Sequence, residues 1–143
     1  MREKYTYDTR KEAEVSMNST ISIGMQDFGK LIRSGAFYVD KTSFIKEWWE
    51  NQDDVTLVTR PRRFGKTLNL SMVDYFFSNQ HVDSGKLFEK LDIWEEEKYQ
   101  DLQGTFPVIF VSFAGIKAEN YATARDGIIQ VLLDLYAKYY FLL

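Results

Sequence analysis

The stretch VTLVTRPRRFGKTLNL, residues 55–70, is the feature that most constrains how this chain can fold. Its first five residues form a short β-branched run, which is typical of a buried strand. From Lys66 onward, apolar residues recur at three- and four-residue spacing, which predicts a helix. The turn between them ends in Gly65-Lys66-Thr67. The stretch therefore predicts a strand, a basic loop and a helix in direct succession.

A second apolar run, PVIFVSF at residues 107–113, also predicts a buried strand, and proline is tolerated at its first position. Apolar periodicity predicts helices around these strands: a short one that stops at Gly35, one that begins near Asp40, short ones within 86–104 and a last one over 119–139. Two buried strands joined by helical crossovers predict an α/β fold with parallel strands. Because two parallel strands are too few for a finished sheet, we expect this fold to be incomplete and the chain to be the front of something longer.

Composition restricts the kinds of site that the chain can carry. Its 143 residues fit one domain, and the net charge of −3 provides no global field for nucleic acid or an anionic membrane. There is no cysteine and His81 is the single histidine, so neither a disulfide nor a zinc site is expected. Any site for a polyanion must therefore be local.

The two ends of the chain predict neither a signal peptide nor a membrane span. Residues 1–18 are charged throughout and are interpreted as a flexible polar leader, with the domain proper over 19–143. The apolar C-terminal region is interrupted by Gln130, Asp134 and Lys138, which is typical of an amphipathic helix. We expect a cytoplasmic protein without a membrane partner.

The loop after residue 59 has the residue types that phosphate binding requires. Gly65 lets the backbone come close to phosphate oxygens, Lys66 offers an ammonium group to the outer phosphates, and Thr67 offers a hydroxyl to magnesium. The following helix adds the positive end of its dipole. The departure from the usual pattern is Arg60, where a glycine normally opens the loop. Since Pro61 favours extended backbone at residue 60, an arginine is tolerated there without strain.

Two other interpretations of the basic loop are open. In the first, it is only a turn whose arginines pair with surface carboxylates such as Asp53, Asp54 or those of residues 95–97. In the second, Arg60, Arg62 and Arg63 grip nucleic acid or a protein partner and the nucleotide site is vestigial. The agreement of strand, loop and helix favours phosphate binding over both.

Three segments, GMQDFGKLIRSGAFYVDKTSFIKEWW, LVTRPRRFGKTLNLSMVDYFF and FPVIFVSF, together resemble the AAA-ATPase-like family of bacterial proteins. The resemblance extends from about Ile21 to the C-terminus, and the combination of YVDKT with RPRRFGKT is specific. It implies a partial P-loop NTPase fold in which Arg60-Pro61 is the family's own loop variant. It assigns no clear role to Asp40, Lys41 and Thr42. A structural interpretation, in which Asp40 is the N-cap of the following helix and the next residues begin its first turn, is at least as good as a functional one.

The resemblance also implies ligands and partners. The expected cofactors are ATP and Mg²⁺, with Thr67 as the expected metal ligand. The expected nucleotide-binding residues are Arg60, Pro61, Arg62, Arg63, Phe64, Gly65, Lys66 and Thr67. No catalytic residue is expected, because neither predicted strand ends in the acidic Walker B residue that anchors magnesium and orients water. We therefore expect nucleotide binding with poor hydrolysis. Nucleic acid is an expected partner only of a nuclease-like domain that commonly follows in the family.

Overall fold

A computed structural model describes residue 21 and residues 24–61 and 63–142, so the predicted leader over 1–18 lies outside the described residues. The regular secondary structure of the described chain is almost entirely helical. Its α-helices are α1 Phe28–Arg33, α2 Ser43–Asn51, α3 Lys66–Phe77, α4 Glu97–Leu102 and α5 Tyr121–Lys138. Short 3₁₀ helices cover Asn79–Leu87, Asp92–Glu95 and Tyr140–Leu142. The predicted helices are confirmed, and Gly35 follows α1 with a positive φ of 66° as its predicted stop.

The predicted α/β fold with parallel strands is wrong. Among the described residues there is no sheet, and the single parallel bridge joins Ser78 to Phe106. Residues 55–59 form no ladder, and the side chains of Val55 and Leu57 are 88% and 82% exposed. A β-branched run favours extended backbone, but a strand also needs a partner at hydrogen-bonding distance. Within the described ranges, neither predicted strand has such a partner.

The second predicted strand, residues 107–113, is held by contacts with the end of α3 and with Tyr139. The N–H of Phe106 donates to the carbonyl of Phe77 at 2.9 Å, and the N–H of Asn79 donates to the carbonyl of Phe106 at 2.7 Å. These bonds tie the start of the segment to the end of α3. Farther along, the N–H of Phe110 donates to the hydroxyl of Tyr139 at 3.0 Å. The segment is therefore held by a helix end and a side chain instead of by residues 55–59.

The core is a cluster of aromatic and aliphatic side chains between α1, α2, α3 and the 3₁₀ helices. Phe76 is fully buried, and its ring lies 5.0 Å from that of Phe77 and 5.2 Å from that of Phe88. Phe28 stacks on Phe88 at 5.1 Å. Edge-to-face and stacked ring pairs at these distances stabilise the fold by more than the burial of their apolar area alone. This packing fixes α3, and therefore the loop that precedes it.

The polar junction between α2 and α4 is held by side chains at its surface. Lys98 pairs with Glu50 at 3.0 Å, and the hydroxyl of Tyr99 donates to the same carboxylate at 2.8 Å. The hydrogen bond from Tyr99, followed by that from Lys98, lowers the pKa of Glu50 below its ordinary value. Lys46 pairs with Glu96 across the same junction. These contacts join α2 to α4. The segment just before α2, which contains Lys41, lies beside the basic loop before α3.

The last helix, α5, forms as predicted, but its apolar residues are not buried. Asn120 accepts from the N–H of Thr123 at 3.0 Å, and the two residues form a capping box that starts the helix. No residue of α5 is buried, and Leu133 and Tyr136 are 57% and 66% exposed. Among the described residues, no helix is both long and apolar enough to cross a membrane.

Candidate functional site

The loop that enters α3 is curled. Arg63 and Gly65 both have left-handed backbone, with φ of 70° and 73°. The ammonium group of Lys66 donates to the carbonyl of Arg60 and, at 3.1 Å, to the carbonyl of Pro61. The lysine at the end of the loop is thus held against the residues at its beginning. An arginine at a left-handed position is uncommon, because its Cβ crowds the backbone there.

Gly65 is the N-cap of α3, and no side chain caps the first turn of this helix. The first N–H groups of an α-helix have no acceptor within the helix. The first bond within this turn joins the N–H of Asn69 to the carbonyl of Gly65 at 2.8 Å. The amides of Lys66, Thr67 and Leu68 therefore present partial positive charge at the loop, where the helix dipole adds to it.

A cavity of about 650 Å³ lies beside the loop. Ten of the described residues line it, of which three are cationic and none is acidic: Lys41, Phe44, Thr56, Leu57, Val58, Thr59, Arg60, Phe64, Lys66 and Asn69. A cavity lined by cations without carboxylates concentrates anions, because no internal counter-charge neutralises it. The electrostatics of this cavity therefore favour an anionic ligand.

The structure brings only part of the predicted set of residues to this cavity. Arg60, Phe64 and Lys66 line it, and the carbonyl of Pro61 accepts from Lys66. Arg63 is exposed on the loop, and Arg62 lies outside the described residues. Thr67 lies in the first turn of α3 with an exposed side chain and is not among the residues that line the cavity.

Lys41 contributes to the site although the sequence assigned it no role. Its ammonium nitrogen is 3.8 Å from the position that a Cβ on Gly65 would occupy. Phe44 and Asn69 also line the cavity and were not predicted. The sequence signal that could have pointed to Lys41 is its place in YVDKT, a segment that belongs to the family resemblance but to which no function was assigned.

The comparisons with known proteins decide the family. A family model described as a predicted AAA-ATPase matches residues 22–142. The chain belongs to this AAA-ATPase-like family. It is also 37% identical over 98 residues to an uncharacterized protein in the vnfD 5′ region of Azotobacter chroococcum mcd 1. That match covers 66% of this chain but 17% of the length of the Azotobacter protein. No solved structure matches the chain significantly.

In this AAA-ATPase-like protein, the side chains around Lys41 are structural anchors. One carboxylate oxygen of Asp40 accepts from the N–H and the hydroxyl of Thr42, each at 2.8 Å. The other oxygen accepts from the N–H of Asp92 at 2.7 Å, and the fully buried hydroxyl of Thr42 accepts from the N–H of Ile93 at 3.1 Å. These bonds satisfy the first amides of the 3₁₀ helix Asp92–Glu95.

The predicted N-cap role of Asp40 is wrong in its detail. The N-cap of α2 is Thr42, and its side chain does not cap the helix. Asp40 instead fixes the chain just before α2 and joins it to the 3₁₀ helix. Upstream, the hydroxyl of Tyr38 donates to the sulfur of Met72 at 3.2 Å, and burial, aided by the Asp40 charge, raises the pKa of this phenol. Lys41 itself is exposed, whereas the residues on either side of it, Asp40 and Thr42, are held by these hydrogen bonds.

Replacing Thr42 with valine is expected to lower the free energy of unfolding by about 1–3 kcal/mol, because it leaves the N–H of Ile93 buried without its acceptor. Urea denaturation measures this difference. Thr59→Val, at an exposed position on the cavity rim, is the matched control and should change stability by less than about 0.5 kcal/mol. Equal stability of the two variants would contradict the anchoring role of Thr42.

Proposed function

We propose that the curled loop over residues 60–67 binds the phosphates of a nucleotide, with ATP as the ligand. The observation that carries this proposal is the position of Lys66. Its ammonium group is held by loop carbonyls beside a helix N-terminus that no described side chain caps, and beside a cavity that no described carboxylate lines. Phosphate oxygens would replace these carbonyls as acceptors for the ammonium, and hydrogen bonds between two charged groups are the stronger ones. The family to which the chain belongs supports the same ligand.

The residues of the loop fit the phosphate part of ATP. The cavity volume falls within the range of small-molecule sites, about 300–1,000 Å³. First-turn amides supply donors to phosphate oxygens, Lys66 supplies a charge, and Arg60 adds a guanidinium on the cavity wall. Gly65 leaves the approach to these amides free of a side chain. The proposed contacts are therefore made by backbone and cations together.

The fit to magnesium is narrower. Thr67 is the proposed protein ligand, because its hydroxyl follows the lysine in the first turn of the helix. Within 24–61 and 63–142, no carboxylate lines the cavity and no group of three or more acidic or histidine side chains could hold a metal ion. A bound ion would neutralise phosphate charge. We therefore propose binding rather than hydrolysis as the function of these residues.

The test is the binding of ATP with magnesium to the 143-residue chain and to its Lys66→Ala variant. ATP is expected to raise the melting temperature of the unaltered protein, since a ligand at one hundred times its Kd stabilises by about 2.7 kcal/mol. Lys66→Ala should weaken binding at least about tenfold in calorimetric titration, because a hydrogen bond to a charged group is lost. Lys90→Ala, at an exposed lysine away from the cavity, is the matched control. Absence of any shift at millimolar ATP would refute the proposal.

A second candidate function is favoured by the exposure of Phe64. This ring is 61% exposed next to the exposed Arg63, and aromatic and arginine side chains together suit nucleic acid or a protein surface. It predicts salt-sensitive binding to an oligonucleotide that weakens in an Arg62→Ala, Arg63→Ala double variant and survives Lys66→Ala. Loss of oligonucleotide binding in Lys66→Ala would instead assign that binding to the phosphate loop.

A further inference from the structure

We propose that Lys41 is a second phosphate-binding lysine of the same site, directed at the polyphosphate chain of a nucleoside triphosphate. This inference rests on the proposed function of the loop. Lys41 and Lys66 line one cavity from two separate segments, and the ammonium of Lys41 lies 3.8 Å from where a Cβ on Gly65 would be. An anion that reaches the helix amides past Gly65 therefore passes next to this ammonium.

The surroundings of Lys41 leave its charge available. The adjacent carboxylate, Asp40, already accepts three hydrogen bonds from Thr42 and Asp92. Among the ion pairs between described residues, none includes Lys41, and no acidic residue lines the cavity. Lys41 therefore has fixed neighbours in the chain and an ammonium group that pairs with no described carboxylate, so its charge is available to a ligand. Its chain segment, unlike its side chain, is not free to move away.

The class of ligand follows from the sum of charges. Lys41, Arg60 and Lys66 line a single cavity to which the described residues contribute no carboxylate, so like charges lie near one another in the ligand-free protein. A polyphosphate relieves this repulsion and can contact cations from both segments at once. A ligand with a single phosphate group offers fewer oxygens and less charge to share between them. The arrangement therefore selects for a chain of phosphates.

The experiment compares Lys41→Gln with the unaltered 143-residue chain, using calorimetric titration with ATP and with inorganic tripolyphosphate. Both ligands are expected to lose about tenfold in affinity, by the same factor, because the lost contact is to phosphate and not to the nucleoside. Lys41→Arg, which keeps the charge, should recover most of the loss. The unfolding midpoint of ligand-free Lys41→Gln should be unchanged or higher, since a repelling charge has been removed. Lys90→Gln is the matched control.

The possible outcomes distinguish failure of the proposed role of Lys41 from failure of the proposed ATP binding by the loop. If the unaltered protein binds ATP and Lys41→Gln binds both ligands equally well, Lys41 has no role while the loop keeps its function. A loss for ATP but not for tripolyphosphate would place Lys41 at the nucleoside and overturn the inference. A lower unfolding midpoint in ligand-free Lys41→Gln, with no recovery in Lys41→Arg, would assign a structural role. Failure of the unaltered protein to bind either ligand would overturn both proposals.

Discussion

Replacing Gly65 with alanine is expected to weaken ATP binding about 100-fold or more, because several hydrogen bonds to phosphate are lost together. The added Cβ would lie 3.8 Å from the ammonium nitrogen of Lys41. In the proposed mode of binding, a phosphate oxygen approaches the first amides of α3 past Gly65. A methyl group there would then separate the phosphate from these backbone donors and from Lys41. Calorimetric titration with ATP and magnesium measures the loss.

The same substitution should affect folding much less than binding. The φ of Gly65 is 73°, a conformation that costs an alanine about 1 kcal/mol relative to glycine. Gly35→Ala is a close control, because Gly35 has a φ of 66° and a Cβ there would meet nothing within 4 Å. The two variants should therefore lose similar stability while only Gly65→Ala loses binding. Equal ATP affinity in both would show that phosphate does not approach past Gly65.

Replacing Phe76 with alanine is expected to lower the free energy of unfolding by about 3–5 kcal/mol. The ring is fully buried and lies at the centre of contacts with Phe77 and Phe88, so its removal leaves a cavity among rigid aromatic neighbours. Because a domain of this size is stable by only about 5–15 kcal/mol, the variant should unfold at a much lower urea concentration. Circular dichroism during urea denaturation measures the shift.

The control for Phe76→Ala is Phe64→Ala, at a ring that is 61% exposed on the basic loop before α3. It should change the free energy of unfolding by less than about 0.5 kcal/mol, since little apolar area returns to water. A loss below about 1 kcal/mol in Phe76→Ala would contradict the position of this ring in the core. A loss in Phe64→Ala as large as in Phe76→Ala would mean that the loop ring is buried.

The local parts of the fold were predictable because their signals lie within a turn or two of the chain. Apolar spacing after Lys66 predicted α3, and the structure begins that helix at the same residue. Gly35 was predicted to end α1 and lies just beyond it with left-handed backbone. The apolar spacing of α5 predicted a helix correctly, but spacing cannot show whether a partner covers the helix, and α5 has no buried residue.

The candidate site was predictable only along its own segment. The loop residues were identified because glycine, lysine and threonine have distinct chemistry at fixed spacing before a helix. Lys41 belongs to a distant segment, and its position beside Gly65 depends on the bonds from Asp40 and Thr42 to the 3₁₀ helix Asp92–Glu95. Those hydrogen bonds join residues about fifty positions apart in sequence, so no local sequence pattern predicts them.

The sequence by itself determined which segments form the α-helices and which residues form the basic loop before α3. It also carried the resemblance to the family to which the chain belongs. The tertiary structure alone decided that residues 55–59 and 107–113 stay unpaired, and that two lysines from separate segments share one cavity. Helix periodicity and capping depend on neighbours along the chain, whereas strand pairing and cavity lining depend on which distant segments the core brings together.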